Sequence, residues 1–329
     1  MRIERLLLVL AVMASLAFVV AACGDDDEDN GNGAAAAEES SGGGDLSGTI
    51  KIDGSSTVAP LSEAAAELFK EENPGVNITV GTSGTGGGFE AFCRGETDIS
   101  DASRQIEEDE VAACEKAGIE QEELTVANDA LSVIVNPEND WAECLTVDQL
   151  NKAWGPDSKA KSWKDVDPSF PDEELALFGP GTDSGTFDYF TEAVNGEEGA
   201  QRSDYNNIGE DDNAAVTGVS GTKGGMGYLG FSFVQQNVDK IKPAPIENES
   251  GDCVEPSLET VQDGSYTPLA RELYVYPSAE ALQRPEVLAF LQFYIENAEA
   301  IAEQAQFIGL TEEQATESTE EIERLAGAR

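Results

Sequence analysis

Histidine is absent from all 329 residues. That absence removes a Ser-His-Asp triad and every histidine-ligated metal centre. Positive charge is scarce as well: 19 Lys and Arg stand against 65 Asp and Glu, a formal net charge of −46 at pH 7. A nucleic-acid ligand needs a basic face that displaces counterions, so none is expected here. Long apolar runs are missing except for one, Leu6 to Ala22, which follows Arg2 and Arg5 and stops at Cys23. Its length and small-residue end read as a cleaved export signal over residues 1–22 rather than a retained span. Cysteine is sparse too, at five residues.

Val20-Ala21-Ala22-Cys23 resembles a bacterial lipobox, in which Cys23 is acylated and becomes the new N-terminus. Residues 23–46 then form an acidic linker rich in Gly, Ala and Ser, a composition that stays solvated and extended. Asp25, Asp27 and Asp29 alternate as in a calcium loop, but the glycine and distal glutamate of such a loop are absent. The expected location is extracytoplasmic, tethered to the membrane by lipid.

Export changes how the other cysteines read. Cys93, Cys114, Cys144 and Cys253 are even in number and allow three pairings. Cys93 with Cys114 closes a local loop, which leaves Cys144 with Cys253, and that pairing is the expectation. A zinc site would need all four thiolates, and their spacings are not C-x-x-C. No metal and no cofactor is expected.

Beyond residue 47 short apolar strands alternate with helical patterns, which argues for an α/β fold with mainly parallel sheets. Three of the strands run into loops of glycine and hydroxyl residues that open a helix: "GSSTVAP" at 54–60, "GTSGTGGGF" at 81–89 and "GTDSGTFDYF" at 181–190. The first turn of a helix offers free N–H groups and the positive end of the dipole. Serine and threonine add hydroxyl donors, and glycine lets the backbone approach a ligand. Each motif alone is an ordinary helix cap, whereas three in one chain favour a shared anion site.

"DGSSTVAPLSEA", "GTSGTGGGF", "DISDASR", "FGPGTDSGTFDYF" and "GTKGGMGYLGFSF", in this order and spacing, resemble a PstS-type phosphate-binding lipoprotein, the solute-binding component of a phosphate ABC transporter. The resemblance runs from about residue 48 to "RPEVLAFLQFYIENA". It implies a two-lobed type II periplasmic-binding-protein fold that closes on phosphate about a hinge. Residues 47–130 and 250–329 would form one lobe and 131–249 the other, with "LSVIVNP" and the segment near "KIKPAPI" as crossings. It further implies that Ser56 and Thr57, Ser83 and Thr85, and Ser184, Gly185 and Thr186 contact the anion. A membrane permease is the implied partner and a monomer the implied state.

Two positions depart from the family pattern. Its arginine four residues before the third-motif serine is Pro180 here, and its proton-accepting aspartate is Ser103, followed by Arg104. Arg104 is the expected countercharge, and Asp101, Asp211 and Asp212 are candidates for the proton acceptor. An enzyme is not expected. An aspartic protease using Asp183 needs a second carboxylate motif, and no other D-[ST]-G occurs. A phosphotransfer enzyme has no nucleophile standing beside a base.

Overall fold

The computed structural model describes residues 46–327. The signal segment, Cys23 and the linker up to residue 45 lie outside the described residues.

The chain begins with β1 (Ser47–Gly54), α1 (Ala59–Glu72), β2 (Gly75–Gly81), α2 (Thr85–Cys93), β3 (Ile99–Ala102) and α3 (Glu108–Ala117). β1 pairs in parallel with both β2 and β3. Ile50 and Ile52 point inward while Thr49 and Lys51 face solvent, the period of two expected of a half-covered strand. In α1 a proline stands in the first turn, and Leu61, Ala64, Ala65 and Phe69 form the buried stripe. The run Gly86-Gly87-Gly88, read from sequence as part of a turn, is the first turn of α2.

β4 (Leu124–Val135) then carries the chain across into α4 (Val147–Trp154), α5 (Trp163–Val166), β5 (Ala176–Gly179), α6 (Gly185–Asn195), β6 (Asn206–Asn207), α7 (Asp212–Gly221), β7 (Gly225–Gly230) and α8 (Phe231–Gln235). Short pieces follow: β8 (Lys242–Pro243), β9 (Ile246–Glu247), β10 (Cys253–Val254) and α9 (Leu258–Gln262). β11 (Ala270–Pro277) returns, and α10 (Pro285–Glu296), α11 (Ala298–Ala305) and α12 (Glu312–Gly327) complete the described chain.

One nine-stranded sheet runs β2-β1-β3-β11-β4-β7-β5-β6, with β8 also on β4. Its two wings are parallel, as the alternating pattern implies. The joining strands are not: β11 is antiparallel to both β3 and β4, and β4 to β7. Two strands that cross between the wings in opposite directions can pair only in this sense.

Each wing has its own core. Leu124, Val126 and Ala127 of β4 join Ile50, Phe69, Leu273 and Phe290 in one. Ala130, Leu131 and Val133, a few residues further along, join Trp154, Phe190, Tyr228 and Leu269 in the other. There Phe190 stacks on Tyr228 with centroids 3.7 Å apart, and Trp154 meets both edge-on. The return crossing lies later than the expected boundary near residue 250. Val261, Tyr266 and Leu269 pack in the second core, and Leu273 is the first residue of β11 in the first. The "KIKPAPI" segment forms β8 and β9 within the second wing rather than a crossing. Its proline and alternating polarity suit a sheet edge, which resembles a connector in sequence.

The disulfides are Cys93–Cys114 and Cys144–Cys253, the expected pairing. The first ties α2 to α3, and the second ties the loop before α4 to β10. Among the described residues no helix is long and apolar enough to cross a membrane.

Candidate functional site

The loop after β1 and the start of α2 are held against each other by main chain. Ser55 N–H donates to the Asp101 carbonyl at 2.9 Å, and Gly84 N–H to the Gly54 carbonyl at 2.9 Å. α2 lies so close to β1 that a Cβ on Gly88 would sit 2.5 Å from the Gly54 Cα. A glycine is required there, which accounts for the last glycine of "GTGGG". From the other wing, the first turn of α6 reaches the same loop: a Cβ on Gly185 would stand 2.9 Å from Thr57 Oγ1. The three hydroxyl-glycine motifs, more than 120 residues apart at the extremes, therefore meet at one place.

A small, nearly closed cavity lies where they meet. Ser55, Ser56 and Thr57 line it from the first loop, Gly84 and Thr85 from α2, and Ser103 from the end of β3. Thr85 and Ser103 hydroxyls are 3.0 Å apart, and Ser103 N–H donates to Thr85 Oγ1 at 3.3 Å. α6 contributes Asp188, Tyr189 and Glu192, the loop after it Glu198, and β11 Arg271. Larger hollows exist, such as the one bordered by Lys152, Pro156 and Lys159, but they gather no such set of donors.

Of the residues expected to contact an anion, Ser56, Thr57, Thr85 and Ser103 line the cavity. Ser184, buried as the N-cap of α6, and Gly185, which packs on Thr57, are outside the lining. Thr186 faces a neighbouring cavity with Asn128, Asp129 and Asp212. Ser83 is exposed, its N–H given to Asp53 Oδ1 at 3.0 Å. Arg104, the expected countercharge, does not line the cavity. Glu110 holds its guanidinium through two bonds of 2.8 and 2.9 Å, and Glu107 stands 3.3 Å from Nε.

The cation in the cavity is Arg271, which sequence reasoning missed. Its Nη2 donates to Thr57 Oγ1 at 3.2 Å, its Nε is 3.3 Å from Asp129 Oδ2, and Nη1 is 3.7 Å from Glu192 Oε2. The guanidinium lies 3.5 Å from the centroid of the Tyr189 ring, and the Tyr189 hydroxyl donates to the Pro268 carbonyl. A planar cation stacked on an aromatic face and forked between carboxylate and hydroxyl is a role lysine fills poorly.

The candidate proton acceptors are placed elsewhere. Asp101 is fully buried and accepts from Ser62 Oγ at 2.9 Å; burial pushes its carboxyl up to about 7. Asp211 caps α7 by accepting from the Ala214 N–H. Asp212 borders the neighbouring cavity, and burial raises it to about 6. Three carboxylates line the cavity itself, Asp188, Glu192 and Glu198, and of these Asp188 accepts from Ser56 Oγ at 3.3 Å across the two wings. Burial raises its pKa, while Ser56 and Arg271 oppose the rise. Asp183 of D-S-G-T is exposed and outside the lining.

Comparison with known proteins places this geometry. The PBP superfamily domain matches residues 39–298. Protein SphX of Synechococcus elongatus is 45% identical over 273 residues, 82% of this chain and 80% of that protein. The phosphate-binding protein PstS of Staphylococcus saprophyticus is 38% identical over 281 residues, 85% of this chain and 86% of that one. Among solved structures, a possible phosphate-binding protein from Planctomyces limnophilus is 43% identical. It superposes with a TM-score of 0.82 over 85% of this chain and 99% of its own. The chain belongs to the PBP superfamily and, within it, to the family of the PstS and SphX proteins.

Proposed function

We propose that the chain is an extracytoplasmic solute-binding protein that captures inorganic phosphate between its two wings and delivers it to the membrane permease of an ABC transporter. The observation that carries this reading is the meeting of three helix-start motifs and Arg271 around one cavity. First-turn N–H groups and hydroxyls are directional donors in a water-poor setting, where each is worth more than in bulk water. Ser55, Ser56, Thr57, Thr85 and Ser103 are the proposed donors and Arg271 the countercharge, with Ser184 and Gly185 completing the wall as the wings close. The names of the relatives favour phosphate over other oxyanions. The protein binds and releases; it does not turn over its ligand. Anchoring through acylated Cys23 and a monomeric state complete the proposal.

The net charge of −46 does not oppose this role. Salt screens the exterior field beyond about 8–10 Å, so affinity is decided within the cavity. Calorimetric titration of the purified protein with phosphate, arsenate and sulfate tests the reading. Saturable binding of phosphate with sulfate inert is expected, and failure to bind phosphate would overturn it.

A further inference from the structure

The cavity that takes the anion is itself rich in negative charge. Asp188, Glu192 and Glu198 line it, and the one guanidinium in the lining is that of Arg271. Asp188 and Glu192 are four residues apart on α6 and so share a face of that helix. Arg271 is already engaged by Asp129 and Glu192. Across the cavity, Ser56 and Thr57 bring hydroxyls but no charge. Arg104, close enough to Glu192 to feel its field, is neutralised by Glu110 and Glu107. Asp183 lies before α6 and adds to the negative field on Asp188. Tyr228 of β7 and Tyr189 are buried phenols held un-ionised.

Three carboxylates against one guanidinium leave the lining two negative charges in excess before any ligand enters. An anion placed there adds to that excess, which the neutral donors of the lining stabilise by their dipoles but do not neutralise. No group of three or more carboxylates among the described residues is arranged to hold a metal ion. The remaining carrier of positive charge is the proton. We infer that capture of phosphate is coupled to uptake of a proton by the Asp188–Glu192–Glu198 cluster, so that affinity falls as pH rises.

The inference rests on the phosphate-binding reading and adds a condition to it. Two of the three carboxyls are already poised: burial raises Asp188, and burial with the neighbouring Asp188 and Glu192 charges raises Glu198. An incoming anion raises Asp188 and Glu198 further, and the group that crosses ambient pH takes the proton. By linkage, each proton taken up lowers the association constant about tenfold per pH unit while the free cluster is ionised. If Asp188 is the group that takes it, the Ser56 hydroxyl that now donates to its carboxylate is released to face the ligand.

Full-length protein titrated with phosphate between pH 5.5 and pH 8, each point in two buffers of different ionisation enthalpy, reads affinity and proton count together. Phosphate changes its own protonation in this range, so the decisive comparison is with E192Q/E198Q and with D188N. For D188N or for E192Q/E198Q, the ratio of variant to wild-type association constant is expected to be at least tenfold higher at pH 8 than at pH 5.5, with fewer protons taken up. A ratio that is level across this range for both variants, with an unchanged proton count, would overturn the inference. So would binding that EDTA abolishes and a divalent cation restores. Absence of phosphate binding by wild type at every pH would instead refute the underlying function.

Discussion

Arg271 Nη2 and Thr57 Oγ1, 214 residues apart in sequence, lie 3.2 Å apart and join the strand that returns between the wings to the loop that opens α1. With Gly185 pressed on the same threonine, this contact makes Thr57 a meeting point of both wings and the crossing strand. Arg271→Ala is expected to weaken phosphate binding by 10- to 100-fold or more. Hydrogen bonds to a charged partner are worth about 1.5–3 kcal/mol each, and Arg271 is the only full positive charge in the lining. Arg104→Ala, whose partners are Glu110 and Glu107, is expected to stay within a few fold. Calorimetry on the two variants decides between them, and the reverse order would return the countercharge to Arg104.

Thr85 and Ser103 share a hydrogen bond and both border the cavity. Thr85→Val keeps the shape of the side chain and removes its donor. A loss of 10- to 100-fold in affinity with little change in thermal midpoint is the expected outcome. Ser83→Ala, on an exposed side chain, is the matched control and is expected to bind within twofold or threefold of wild type.

Asp101 gives a pH dependence of stability rather than of binding. Its folded-state pKa of about 7 lies above the ordinary 3.8, with burial as the leading cause. Between those values the native state holds a proton that the unfolded chain has lost. Its contribution to stability therefore falls as pH rises from about 4 to about 7 and is level above that. Asp101→Asn keeps an oxygen for Ser62 and cannot ionise. The thermal midpoint of this variant, taken relative to wild type, is expected to climb across the same window. A constant difference from pH 4 to pH 7.5 would show that the carboxyl does not titrate there.

The two disulfides differ in the loops they close, with separations of 21 and 109 residues. Chain-entropy arguments give about 3 kcal/mol for the shorter and about 5 kcal/mol for the longer. Removing Cys144–Cys253 by paired alanines is therefore expected to destabilise more than removing Cys93–Cys114. Denaturant unfolding of the two double variants measures the order.

The three motifs were legible in the sequence because each carries its own local signal, hydroxyls and glycines between a strand and a helix. The pairing of the cysteines was legible for a similar reason, since one short loop leaves one long one. Arg271 was not. It stands in "TPLARELYVYP", an ordinary strand, and reaches the cavity only because β11 pairs between β3 and β4. The scarcity of cations was the available hint, with so few arginines to choose among. Arg104 lies outside the cavity because adjacency to Ser103 in sequence does not fix side-chain direction, and Glu110, six residues on and a brace of α3 through its capping box, holds the guanidinium. Asp188 was hidden inside a motif read for its donors. The late return crossing was hidden because residues 250–269 lack the strand pattern that would have marked the second wing.

β4 and β11 lie side by side, with Ala130 opposite Ala270, so the whole of the second wing leaves and re-enters the first through neighbouring points. During synthesis, that inner wing lacks only Ala270 and Ile308 of its core once residue 269 has emerged, while the outer one still lacks β11 and α10 through α12. Domains fold as units as the chain appears, so the part made in the middle can finish before the part that was begun first. Until β11 arrives, β3 has an open edge, and the hydroxyl-rich loop between Gly54 and α1 has neither Arg271 nor the strand behind it. Binding competence is thus among the last properties the nascent chain acquires, and a stalled or truncated product ending before Arg271 would leave that edge exposed to other strands.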